Sequence, residues 1–113
     1  MKLLRLTATV LALTAAINAQ AADKVKVGML TTLSGAGAGL GVDIRDGFDL
    51  ALKHLGNKFG NLPVEVIASD DQQNPEVAKQ MTDRLLKKEK VDFMTGIVFS
   101  NVMLGVGPGI FAS

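Results

Sequence analysis

Cysteine is absent, and with it every disulfide, thiolate metal site and cysteine nucleophile. A bacterial lipoprotein also needs a cysteine at its cleavage site, so no lipid membrane anchor of that kind is expected. Trp and Tyr are missing too, and no basic block is interleaved with aromatics. Twelve Lys and Arg meet 11 Asp and Glu for a net charge of +1. Without a basic stripe, a nucleic-acid partner is not expected. His54 is the single histidine, and no Ser-His-Asp set, G-x-S-x-G elbow, H-E-x-x-H pair or G-K-[ST] P-loop occurs. Catalysis, a metal and a bound cofactor therefore have no residues to carry them.

What is present begins with a leader. Lys2 and Arg5 give a positive start, and Leu6 to Ile17 is apolar apart from three threonines. Ala19-Gln20-Ala21 then offers the small-x-small pattern of a signal-peptidase site. The apolar run falls short of the ~20 residues of a spanning helix. Residues 1–21 thus read as a secretory signal peptide cleaved after Ala21, which implies export to the periplasm. The remaining residues, 22–113, are near neutral once Lys2 and Arg5 are set aside.

That segment alternates between two periodicities. Val25–Thr32 reads as a buried strand, and a Gly-rich loop follows from Ser34 to Gly41. A helix is expected from about Gly41, with Ile44, Phe48, Ala51, Leu52 and Leu55 on one stripe and Gly56 as its stop. After a loop over 56–61, Leu62–Ser69 reads as a second strand. Asp70 and Asp71 then look like solvated loop carboxylates. Asn74-Pro75-Glu76 starts a second helix, whose end is crowded by Lys87, Lys88 and Lys90. Val91–Phe99 reads as a third strand, leading to Ser100-Asn101 and a short apolar segment ending in Gly105-Val106-Gly107-Pro108-Gly109. The order predicts an α/β fold: the opening βαβαβ units of a parallel-sheet lobe, incomplete at three strands.

In an open parallel sheet, ligands lie beyond the carboxyl ends of the strands. The loops there offer Ser34 and Gly35 from the first and Ser100 and Asn101 from the third. A helix N-terminus beside hydroxyls suits a small anionic or zwitterionic ligand. Ser100 is equally a natural helix cap and Ser34 a natural turn residue. A dinucleotide site is the alternative, but G-x-G-x-x-G fails: its sixth position is Leu40, Val42 or Ile44 when counted from Gly35, Gly37 or Gly39.

Val27–Gly35, the small-residue loop to Gly41, Val64–Pro75 and Val91–Gly96 followed by Ser100 together resemble the leucine-binding-protein-like family. These are type I periplasmic solute-binding proteins of branched-chain amino acid ABC importers. The resemblance covers about residues 25 to 108 and implies that 22–113 is part of an N-terminal lobe. It also implies a non-enzymatic protein that captures a small amino acid or carboxylate-bearing solute between two lobes and delivers it to importer permease subunits. In the family, a serine at the Ser100 position holds the ligand carboxylate. The chain departs from the amino-acid binders where an aromatic often follows Ser-Gly, since Ala36, Ala38 and Leu40 stand here. Importers of aromatic acids, amides or other small carboxylates use the same scaffold. A ligand-sensing domain of a receptor or regulator uses the same scaffold.

Overall fold

A computed structural model describes residues 23–113, so the expected signal peptide lies outside the described residues. The first strand, β1 (Val25–Thr31), is buried from Val27 onwards, as a strand covered on both faces must be. Four strands form one sheet: β1, β2 (Lys58–Phe59), β3 (Leu62–Asp70) and β4 (Phe93–Thr95), in the order β2-β3-β1-β4. β1 runs parallel to β3, from Val25 opposite Val64 to Thr31 opposite Asp70. It also runs parallel to β4, from Val27 opposite Phe93 to Met29 opposite Thr95. The expected α/β architecture with a largely parallel sheet is what the chain forms.

Local departures from the sequence reading have physical reasons. Within the expected loop 56–61, β2 pairs antiparallel with the start of β3. Gly60, left-handed at φ 60°, links the two with Asn61 as a hairpin turn. The third strand is three residues long rather than nine. At Gly96 the backbone turns to φ 94°, and a Cβ there would crowd Met29 and the Leu30 carbonyl.

The first helix, α1 (Ala38–His54), begins before Gly41. Gly41 instead lies buried within it, because a Cβ would overlap the Thr32 carbonyl oxygen. Its end is a Schellman turn, with Gly56 N donating to Lys53 O and Asn57 N to Leu52 O. Of the expected stripe only Leu52 is buried, while Ile44 and Leu55 are exposed. α1 is thus seated mainly through Gly41 and Leu52.

The opposite face is packed. The second helix, α2 (Pro75–Asp83), is capped by Asn74, whose Oδ1 accepts from Glu76 N at 2.9 Å and Val77 N at 3.3 Å. It runs on as a π-turn over Arg84–Lys88. The third helix, α3 (Ser100–Phe111), continues through Gly105, Gly107, Pro108 and Gly109, where the sequence suggests an ending. Burial of Val102 and Val106 with Leu30, Ala78 and Leu85 holds it. Gly105 permits the close approach, since a Cβ would lie 3.0 Å from Pro75. Among the described residues no helix is long and apolar enough to cross a membrane.

Candidate functional site

Considering only the parallel strands, β1 has its sequence successor β3 on one side and β4 on the other. α1 lies against one face of the sheet, while α2 and α3 pack together on the other. The chain therefore reverses direction between β1 and β4, and this topology places a crevice between the loops that leave their carboxyl ends. The first of these loops carries Ser34, Gly35 and Gly37; the second carries Ile97, Val98 and Phe99 and leads into Ser100. The β3–α2 loop, Asp71–Asn74, borders both.

The acidic pair, expected to be solvated, is the clasp that fixes these loops. Asp71 is fully buried. Its Oδ1 accepts from Thr32 Oγ1 at 2.6 Å and from Gln73 N at 2.8 Å, and its own N–H donates to Thr31 O. Asp70 Oδ1 accepts from Leu33 N and Gln72 N, each at 2.9 Å. Partial burial would raise the Asp70 pKa, but hydrogen bonds from the Ser34 hydroxyl and from the N–H groups of Leu33, Gln72 and Ser34 outweigh it. The carboxyl is held below its ordinary range. Gln72 and Gln73 are both left-handed, with φ of 53° and 57°, a conformation that costs non-glycine residues free energy. The two carboxylates hold those N–H groups where they are. Such strain, maintained by its surroundings, is characteristic of functional loops.

The four residues expected to bind ligand all lie exposed at this end of the sheet. Ser34 is tied to Asp70, and Gly35 supplies a left-handed turn at φ 77°. Ser100 is not the cap of α3. Phe99 occupies that position in an extended conformation, without a side-chain cap bond. Among the described residues the Ser100 hydroxyl makes no hydrogen bond, and it stands at a helix N-terminus whose first N–H groups have no intrahelical partner. Asn101 Nδ2 donates to Gln73 O at 3.4 Å, joining the start of α3 to the β3–α2 loop. Among the described residues no hydrogen bond links Ser34 or Gly35 to Ser100 or Asn101.

A further junction was not legible in the sequence. The Phe99 ring lies across the crevice on Gly37, where a Cβ would meet Cζ at 2.7 Å and Cε2 at 2.8 Å. The Gln73 Oε1 would stand 2.9 Å from the same Cβ. All three loops converge there. The crevice is an open wall; a hollow of about 460 Å³ lined by Leu86, Lys90–Met94, Ile110 and Ser113 lies at the other end of β4. Among the described residues no cluster of potential metal ligands occurs.

The parallel α/β lobe has a crevice at its switch point, where open parallel sheets hold their ligands. Its residues 24–112 match the family model described as periplasmic binding protein, and the chain belongs to that family. It is 36% identical over 94 residues to the Leu/Ile/Val-binding protein homolog 6 of Brucella abortus (strain 2308), covering 82% of this chain and 24% of that relative. An ABC transporter substrate-binding protein from Sphaerobacter thermophilus superposes with a TM-score of 0.76 at 34% identity, over 79% of this chain and 24% of the other. A solute-binding protein of an R. palustris ABC transporter, solved with 4-hydroxybenzoate, gives 0.74 at 33% identity, over 80% and 25%. The chain thus spans about a quarter of the length of the proteins it matches. These relatives are binding proteins and not enzymes.

Proposed function

We propose that the protein is the periplasmic solute-binding component of an ABC importer and performs no reaction of its own. Residues 1–21 direct export and are removed after Ala21, and 22–113 form part of the N-terminal lobe. The solute is a small amino acid or another carboxylate-bearing molecule, aromatic acids included, held in a cleft between two lobes and passed to the permease subunits. The observation that carries this reading is the uncommitted Ser100 hydroxyl at the α3 N-terminus, across the switch-point crevice from Ser34 and Gly35. Helix N–H groups and hydroxyls favour a carboxylate there, and Asn101 adds a second polar side chain.

Asp70 and Asp71 sharpen the polarity of this wall. Two carboxylates lie behind Ser34, and among the described residues neither is paired with a Lys or Arg. A ligand carboxylate is therefore favoured at Ser100 and disfavoured at Ser34. The test is a thermal-shift screen of the full chain against amino acids, benzoates and NAD. A binder at a hundredfold excess over its Kd adds about 2.7 kcal/mol of stability, a plainly visible shift. A response to carboxylates supports the reading; a response to NAD alone, or to nothing, contradicts it.

A further inference from the structure

We propose that Phe99 is a specificity-determining residue of the cleft, its ring forming the apolar surface on which the flat part of an aromatic carboxylate rests. The inference builds on the solute-capture reading and narrows its substrate class. Phe99 immediately precedes Ser100, the group assigned to the carboxylate, so one short stretch presents both an apolar face and a polar anchor. The ring is only partly buried. On one side it packs against the Leu30–Val106 core cluster, which fixes it; on the other it crosses the crevice to Gly37. Gly37 is what allows that position, because any side chain there would collide with the ring.

Chemistry and geometry agree on the ligand. The first loop has only Ala36, Ala38 and Leu40 around its glycines. Phe99 is thus the aromatic side chain that the three converging loops bring to the crevice. Offset or edge-to-face contact with an aromatic ring contributes beyond simple burial, whereas an aliphatic side chain gains burial alone. The Gln73 amide oxygen at the same junction can accept a hydrogen bond from a ring hydroxyl. The class favoured is therefore a benzoate-like acid, with or without a hydroxyl.

Calorimetric titration of the full chain with benzoate, 4-hydroxybenzoate and leucine tests this, using the native protein, Phe99→Leu and Gly37→Ala. The native protein should prefer the benzoates. Phe99→Leu should weaken them by about 3- to 10-fold and weaken any leucine binding by a clearly smaller factor. Gly37→Ala, which keeps the ring but displaces it, should weaken them as well and stands as the test if Phe99→Leu does not fold. Equal loss for benzoates and leucine would show a structural role only and overturn the inference, as would undiminished benzoate binding in both variants. Native protein that binds leucine but no benzoate overturns the inference and leaves solute capture intact. Native protein that binds none of the three overturns both.

Discussion

At the amino end of the sheet, charged groups lie near the surface; at the carboxyl end, two carboxylates are turned inward and bind two loops together. Lys24 pairs with Glu65, Lys26 Nζ donates to Glu89 O at 2.9 Å, and Asp92 Oδ2 accepts from Lys26 N at 2.8 Å. The exposed Lys24–Glu65 pair contributes little, because water competes for both partners. At the other end, Asp71 is completely buried and Asp70 takes hydrogen bonds from two loops. These carboxylates hold Gln72 and Gln73 left-handed and bind the β1–α1 and β3–α2 loops to each other. A protein commits buried carboxyl groups and backbone strain where a shape must be kept, and here that shape is the crevice at the switch point.

The contrast can be broken by substitution. Gly41→Ala is expected to have the largest effect, about 3 kcal/mol or more in chemical denaturation. Its Cβ would overlap the Thr32 carbonyl, a backbone atom that cannot rotate aside. Asp71→Ala comes next, at about 2 kcal/mol, because it strips the acceptor from Thr32 Oγ1 and Gln73 N. A loss indistinguishable from that of a surface charge would show that the two ends are alike after all.

Acid sharpens the comparison further. The folded-state pKa of Asp70 is depressed, so its contribution is present above the unfolded value of about 3.9 and is lost as pH falls through the folded value. Native protein should therefore lose more stability than Asp70→Asn between pH 5 and pH 3, as followed by melting. An identical slope would remove Asp70 from the clasp. The smallest effect is expected from Lys24→Ala at the amino end. Its change in denaturation midpoint should be close to experimental error and should shrink further in high salt.

Much of the scaffold was legible because it follows from periodicity and punctuation. Asn74-Pro75-Glu76 caps α2 as its residue types require, and Gly56 ends α1 in a left-handed turn. The buried run of β1 reads directly as a central parallel strand. Tertiary contacts decided the remainder. Glycines and a proline within 105–109 suggest a loop, yet Val102 and Val106 gain enough from burial to keep α3 helical. The acidic pair was misread for a related reason: Asp70 and Asp71 look like solvent-loving loop residues, and their donors come from Thr32 and Leu33, far away in sequence. At the site, Ser34, Gly35, Ser100 and Asn101 could be selected because strand ends are visible in a sequence. The seating of Phe99 on Gly37 joins positions more than 60 residues apart, and no local pattern announces it.

The proposed solute is held at the carboxyl end of the sheet, against the loops that leave β1, β3 and β4. Hydrogen exchange of the full chain, with and without a carboxylate that stabilises it, tests this most directly. Protection is expected at the amides of 33–41, 71–77 and 97–104, with 24–27 and 89–93 unchanged. Protection confined to the amino-end segments, or stabilisation with no protection in those three loops, would contradict it.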